Sequence, residues 1–269
     1  GHEYYQNRAD YVMSVELDDA KQHIKGTEKV TYHNASPDDL TYLWLQLDQN
    51  MRHPESDTYK AETNDINSIN FKSMKHDFEG GFNIEYVKSN NKALNYTINK
   101  TMMRIDLDTP LKAGSSISFD IKWNFNINDR MAIGGRSGYE YFKDEDNYIY
   151  TIAQFYPRMC VYNDVEGWQN KQFLGAGEFT LPFGDYEVEI TVPADHVVAA
   201  TGVLQNASKV LSKEQQKRLE KAEDSDQPVF IVTQEEAEAA EKNKMKATKT
   251  WVFEAENVRD FAFASSRKF

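Results

Sequence analysis

The sequence predicts an all-β protein: a large antiparallel β-sandwich or saddle-like domain that carries a small helical insertion on its surface. Three observations favour this class: apolar and polar residues alternate along several segments, turn-forming residues separate these segments, and aromatic residues are abundant. The 269 residues include 15 Tyr, 15 Phe and 4 Trp, and such rings suit half-buried strands. Because β domains of this length form around one core, we expect residues 1–269 to be a single domain.

The clearest strand signal lies in residues 117–127, which read ISFDIKWNFNI. Apolar residues occupy every second position and share one face of a strand, whereas polar residues share the other face. The same period recurs in other segments, at residues 11–17, 43–47, 103–107 and 186–192. Turn clusters such as NASPDD at residues 34–39 separate these segments, and short links of this kind favour antiparallel sheets.

Residues 207–246 break the β pattern and form the predicted helical insertion. Ser212 with Gln215, and Thr233 with Glu236, have the spacing of capping boxes, in which a hydroxyl residue is followed three positions later by Gln or Glu. Each box opens a polar run with few apolar positions, which is typical of a helix on the surface. Between the two helices, PVFIV at residues 228–232 predicts a short strand.

The charge and the composition exclude several classes of partner. The chain has 43 acidic and 31 basic residues, a net charge of −12, so its surface repels nucleic acid and we expect no such partner. No stretch approaches the ~20 apolar residues of a membrane span. Cys160 is the only cysteine, which excludes an intrachain disulfide. The start, Gly1-His2-Glu3, resembles a cloning remnant in place of a removed signal peptide, so we expect an exported protein, periplasmic or at the cell surface.

The residues alone show no catalytic or metal-binding constellation. No two of the six histidines have the spacing of a zinc motif, and the helical HExxH signature is absent. We therefore predict no catalytic residue and no metal ligand in this chain. Cys160 reads as a structural cysteine, since a nucleophile needs an adjacent base. GGRSG at residues 134–138 lacks the Lys-Ser/Thr of a phosphate-binding loop and is interpreted as a mobile loop.

Two tyrosine-rich segments leave two interpretations open. GYEYF at residues 138–142 and YIY at residues 148–150 are able either to stack on sugar rings or to pack as amphipathic strand residues. The first interpretation corresponds to an alternative function, a stand-alone β-sandwich module that binds a glycan or a protein.

Several segments carry a family resemblance. Residues 150–160 read YTIAQFYPRMC, followed by GW at residues 167–168 and GEF at residues 177–179. The first segment is similar to the TQFxP segment, ending in Cys, in the N-terminal domain of aminopeptidase N-type zinc metallopeptidases, the gluzincins. The two shorter segments follow it as they do in the bacterial branch of that family.

The resemblance continues toward the end of the chain in the same order. FGDYEVEITVP at residues 183–193 and VVAATGVL at residues 197–204 resemble the strand pair that the family writes as FDVTIxVP and NGxL. WVFEAENVRDFAFA at residues 251–264 looks like the segment that closes this domain. The likeness covers nearly the whole chain, although the first half matches in pattern more than in motif.

The resemblance implies a non-catalytic domain that is a scaffold and one wall of a peptide-binding cleft. Its partners would be a downstream catalytic domain of the same chain and the amino terminus of a peptide substrate. That downstream domain would hydrolyse amino-terminal residues with zinc, the cofactor expected in the full-length protein. Neither HExxH nor the family's GxMEN motif occurs in these residues, so the resemblance implies that this chain is inactive alone.

The resemblance also assigns two residues to substrate binding, Gln154 and Tyr156. Gln154 matches the Gln of the family motif, which approaches the amino terminus of the substrate; the alternative is a strand-end amide that bonds to the backbone. Tyr156 stands where better-known members have an acid. A tyrosine offers an ammonium group only a hydroxyl and a ring face.

Overall fold

The structure is a computed structural model that describes residues 4–60, 78–175, 177 and 179–269. The strands of this part of the chain are β1 (Arg8–Asp18), β2 (His23–His33), β3 (Leu40–Gln46), β4 (Asn83–Ser89), β5 (Lys92–Ala93), β6 (Asn95–Asn99), β7 (Met102–Leu111), β8 (Ser116–Asn126), β9 (Gly138–Phe142), β10 (Asn147–Ile152), β11 (Arg158–Met159), β12 (Tyr162–Asn163), β13 (Gly167–Trp168), β14 (Gly184–Pro193), β15 (Val197–Ala200), β16 (Val203–Leu204), β17 (Thr248–Val258) and β18 (Phe263–Ser266).

These strands form four sheets, which confirms the all-β class. The largest has the order β16-β17-β14-β1-β2-β8-β4-β5; the others are β15-β18-β10-β9, β11-β3-β7-β6 and the pair β12-β13. The strand pairings are antiparallel except for one: β1 pairs with β14 in parallel. The sheets are therefore largely antiparallel, as predicted, and the one parallel pair joins strands that meet through a long crossover, which local turn signals do not reveal.

The core lies on the inner face of the eight-stranded sheet. The alternation predicted for β8 is confirmed, since Phe119, Ile121 and Trp123 are each at most 1% exposed. One continuous cluster joins these side chains to buried residues of the two four-stranded sheets, such as Leu43 of β3 and Tyr150 of β10. The sheets therefore pack face to face as a sandwich.

A glycine on β2 allows the largest core ring to pack closely. Gly26 lies opposite Trp123 in the pairing of β2 with β8, and a Cβ atom added to Gly26 would lie 2.5 Å from Cζ2 of the Trp123 ring. The indole thus lies directly on the backbone of β2, an approach that any side chain at position 26 would block.

The helices are short and lie mainly in the predicted insertion. The described residues contain a 3-10 helix (Asp48–Arg52) and the α-helices α1 (Asp57–Lys60), α2 (Arg130–Ile133), α3 (Ala207–Val210), α4 (Lys213–Glu223) and α5 (Gln234–Asn243). Both predicted capping boxes are present, at the starts of α4 and α5. The strand predicted at residues 228–232 is wrong: the segment has no paired neighbour, and Phe230 within it is 82% exposed.

Replacing Ser212 by Ala tests the first capping box. The Ser212 hydroxyl accepts a hydrogen bond of 3.2 Å from the Gln215 amide, and losing such a cap costs a helix about 1 kcal/mol. Because α4 buries none of its residues, we expect the loss as faster amide hydrogen exchange within α4. The control Thr233→Ser keeps a capping hydroxyl on α5 and leaves exchange unchanged; equal exchange in Ser212→Ala and the parent would contradict the prediction.

Candidate functional site

Gln154 lies just after β10 in a conformation that is uncommon for a residue with a side chain. Its φ is +53°, in the left-handed region. The Nε2 amide of Gln49 donates to the Gln154 carbonyl at 2.9 Å, and the backbone amide of Ala153 donates to the Ser137 hydroxyl at 3.1 Å. The surrounding structure therefore fixes this backbone from two sides, as is common where a strained residue has a functional role.

Gln154 lines a cavity. The cavity has a volume of about 320 Å³ and is lined by Arg136, Ala153, Gln154, Arg158, Phe179, Leu181, Arg259 and Asp260. Gln154 is half-buried, and its side-chain amide donates no hydrogen bond to another residue that the structure describes. The two N–H donors and the carbonyl oxygen of this side-chain amide are thus available to a ligand.

Tyr156 lies behind the cavity and does not line it. Its side chain is 0% exposed, and its hydroxyl donates to Oδ1 of Asp260 at 2.9 Å. The hydroxyl of Tyr186 lies 3.1 Å away. Burial raises the pKa of Tyr156 well above its ordinary value, so the hydroxyl remains a donor at neutral pH. Tyr156 therefore contacts the cavity through Asp260, a residue that sequence reasoning missed.

A buried ion network fixes the floor of the cavity. The Arg158 guanidinium donates two hydrogen bonds to Asp48, at 3.1 and 2.9 Å, and one to Asp260 at 2.7 Å. The side chains of Arg158 and Asp48 are 6% and 1% exposed, whereas that of Asp260 is 39% exposed. Burial lowers the pKa of Arg158, but Asp48 and Asp260 outweigh this effect and raise it. The guanidinium is therefore permanently charged.

The sequence contains one signal for this network. Arg158 stands in the apolar run FYPRMC, and a charged residue within a buried strand requires a partner. Its partners lie 110 and 102 positions away, so spacing does not identify them.

Among the described residues, the charged side chains that line the cavity are mostly basic. Arg136, Arg158 and Arg259 line it together with one acid, Asp260, which is already paired with Arg158. The Arg259 guanidinium lies 4.5 Å from the ring centre of Phe183. Glu178 of the GEF segment lies outside the described residues.

The other candidate centres show no catalytic geometry in the described residues. Cys160 is buried, and burial raises the pKa of its thiol, so the thiolate needed for nucleophilic attack is not formed at neutral pH. No three His, Cys, Asp or Glu side chains of the described part are grouped as metal ligands; His2 and His76 fall outside it. No helix in the described ranges is long and apolar enough to span a membrane.

The tyrosines of β9 and β10 pack mainly on one another. The ring centres of Tyr141 and Tyr148 are 4.9 Å apart, and those of Tyr139 and Tyr148 are 5.5 Å apart. Tyr150 is 0% exposed, and Tyr141 at the end of the row is 43% exposed. The row thus extends from the core to the surface and presents one ring to solvent.

Comparisons with known proteins give a likeness in fold only. No protein-family model and no curated protein matches the chain. The M1 zinc metallopeptidase from Deinococcus radiodurans has a TM-score of 0.48 and 11% identity, over 96% of this chain and 42% of that chain. A mutant two-domain M1 zinc metallopeptidase bound to L-tryptophan has a TM-score of 0.48 and 12% identity, over 97% and 43%. The chain therefore spans less than half the length of these structural neighbours.

Proposed function

We propose that the chain is the non-catalytic N-terminal domain of a zinc-dependent aminopeptidase-like metallopeptidase of the bacterial branch. In this role it is a scaffold and one wall of the peptide-binding cleft, and Gln154 contacts the amino terminus of the substrate. Hydrolysis and zinc binding belong to a downstream catalytic domain. The sequence resemblance of residues 150–160 and of the later segments supports the family assignment.

The conformation of Gln154 carries the assignment of the site. A left-handed glutamine costs about 1–3 kcal/mol, and here Gln49 fixes its carbonyl while the residue lines a cavity. A strained polar residue on the lining of a cavity is typical of a ligand-binding position. The Oε1 atom of Gln154 is suited to accept a hydrogen bond from a substrate ammonium group.

Tyr156 and Asp260 contribute to the same wall in different ways. Tyr156 is buried and positions the Asp260 carboxylate, which reaches the cavity with 39% of its side chain exposed. Because Arg158 already neutralises this carboxylate, it attracts a substrate ammonium group less strongly than an uncompensated acid. Recognition of the amino terminus by this wall therefore depends on the hydrogen bond of Gln154 more than on charge.

Kinetics of the complete protein with aminoacyl amide substrates test the proposal. We expect Gln154→Ala to raise KM about tenfold, the equivalent of about 1.4 kcal/mol for one hydrogen bond, with a smaller change in kcat. The control is Gln205→Ala, because Gln205 is exposed and its side-chain amide donates to the carbonyl of Val203, two positions earlier in the chain. We expect that variant to keep the parent KM.

Three outcomes would contradict the proposal. An unchanged KM in Gln154→Ala would remove Gln154 from the site. A complete protein without zinc-dependent peptidase activity would refute the proposed activity of the parent protein, and hydrolysis by residues 1–269 alone would refute the non-catalytic role. Tyr139, Tyr148 and Tyr150 pack on one another, and this packing gives the alternative glycan-binding module no separate support.

A further inference from the structure

A second cavity lies where the helical insertion covers the sheet. Its volume is about 80 Å³, and its lining includes Val210, Gln215 and Ala240 from the insertion and Asp195, His196 and Trp251 from the β domain. Of the described insertion residues, only Val210, Leu211 and Ala237 are buried hydrophobic side chains. The insertion therefore contacts the sheet through few apolar groups and through this cavity.

Four buried polar atoms of the lining residues have no hydrogen-bond partner. One of them, Nε of Arg267, forms an ion pair with Asp195 at 2.9 Å; the other three are Oδ1 of Asp195, Nε2 of His196 and Nε1 of Trp251. His196 is 0% exposed and Trp251 is 2% exposed, while the side chain of Asp195 is 3% exposed. Buried polar atoms in native proteins almost always have a partner, either protein or ordered water. Three unpartnered atoms on residues that line one cavity indicate that a small polar molecule joins them.

The three atoms differ in their hydrogen-bonding roles. The Asp195 carboxylate accepts, and the Trp251 indole donates. Nδ1 of His196 lies 2.9 Å from the Ser265 hydroxyl, and burial lowers the pKa of His196 to about 3, so the ring is neutral. When Nδ1–H donates to Ser265, Nε2 is an acceptor.

The combination of donor and acceptor atoms determines which class of ligand suits the cavity. The indole N–H disfavours a metal cation, and the Asp195 carboxylate repels an anion. Water has two donors and two acceptors, so it is able to donate to Asp195 and His196 and to accept from Trp251. The cavity also exceeds the roughly 10–15 Å³ that one water molecule requires.

We propose that this cavity is an internal hydration site, in which ordered water bridges Asp195, His196 and Trp251 and joins the helical insertion to the sheet. The second Asp195 oxygen supports this arrangement from the protein side. It accepts from the backbone amide of Met245, at the end of the insertion, at 2.6 Å, and it lies 2.9 Å from Nε of Arg267. Asp195 thus holds the insertion directly with one oxygen and through water with the other.

Water-to-protein cross-relaxation in NMR spectra of the intact, deuterated, ¹⁵N-labelled protein tests the site. We expect a cross-peak between water and the Trp251 indole N–H whose sign is that of dipolar cross-relaxation and not of chemical exchange. The variant Trp251→Phe removes this cross-peak and thereby assigns it. Trp123 is the matched internal control, because its Nε1 is also buried without a partner but Trp123 does not line this cavity. We expect no water cross-peak at Trp123, and a spectrum in which Trp251 also has none would overturn the proposal.

A crystal structure at about 1.5 Å provides the second readout. We expect density for water within hydrogen-bond distance of Oδ1 of Asp195 and Nε1 of Trp251. An empty cavity, or a metal ion in it, would overturn the proposal. In Ala240→Val, the added methyl groups occupy part of the cavity. We expect the water cross-peak of Trp251 to weaken in this variant, while the signals of the other indole groups keep their positions. An undiminished cross-peak would place the water outside this cavity and overturn the proposal.

Discussion

Replacing Arg158 by Met lowers the free energy of unfolding by about 3–5 kcal/mol, the cost of removing one partner from a buried ion pair. Asp48 then keeps a carboxylate that is 1% exposed and has lost two hydrogen bonds from its guanidinium partner. Urea unfolding followed by tryptophan fluorescence at pH 7 measures the change. Arg158→Lys keeps the charge but not the bidentate fork, so we expect an intermediate loss.

Lys92→Met is the matched control for this measurement. Lys92 forms an ion pair with Asp108, but these side chains are 74% and 54% exposed, and exposed pairs contribute at most about 1 kcal/mol. If Arg158→Met were no more destabilising than Lys92→Met, the network would not be a structural element of the fold.

Replacing Glu28 by Met raises the free energy of unfolding at pH 7 by about 2–3 kcal/mol, because a buried ionisable group without a partner is replaced by an apolar one. Glu28 is 1% exposed, and neither carboxyl oxygen has a hydrogen-bond partner. It lies on the inner face of β2, opposite Met13 and Ile121 of the neighbouring strands. Met has a similar length and suits this apolar position.

The gain in stability expected for Glu28→Met increases with pH. Burial raises the pKa of Glu28 well above its ordinary value, so the folded chain keeps this proton to a higher pH than the unfolded chain does. Below the unfolded pKa of about 4.3, the carboxyl is protonated in both the folded and the unfolded state, so its ionisation no longer contributes to the difference in stability between the parent and Glu28→Met. The stability contribution of the parent residue is therefore complete at low pH and is lost as the pH rises toward the folded pKa.

Unfolding free energies of the parent and Glu28→Met between pH 4 and pH 8 isolate this effect, since all other titrating groups are common to both proteins. We expect the advantage of the variant to grow with pH. The control, Lys29→Met, changes the adjacent residue on the exposed face of β2 and has a small effect that does not follow the titration of Glu28. A loss of stability in Glu28→Met at pH 7 would show that the carboxylate has a partner in solution.

Local patterns predicted the parts of the fold that depend on neighbouring residues. The alternation of β8 and the capping boxes of α4 and α5 are encoded within a few positions, and the structure contains them. The strand predicted at residues 228–232 shows the limit of such patterns. A β-branched run forms a strand only when another strand pairs with it, and no strand pairs with this segment.

The candidate site was predictable only in part, for the same physical reason. Gln154 could be proposed from the sequence because its motif is local. Its left-handed backbone depends on Gln49, and the charge of its cavity depends on Asp48 and Asp260. Those residues meet through tertiary packing and leave no spacing in the sequence.

The parallel pairing of β1 with β14 has a consequence for synthesis of the protein. Tyr11 lies opposite Tyr186, so the second strand emerges from a ribosome roughly 10–35 s after the first at about 5–20 residues per second. Until then one edge of β1 has no permanent neighbour, and unpaired edges favour aggregation. The high contact order of this sheet makes its closure a late and slow event. The nascent chain is therefore an expected client of chaperones during this interval.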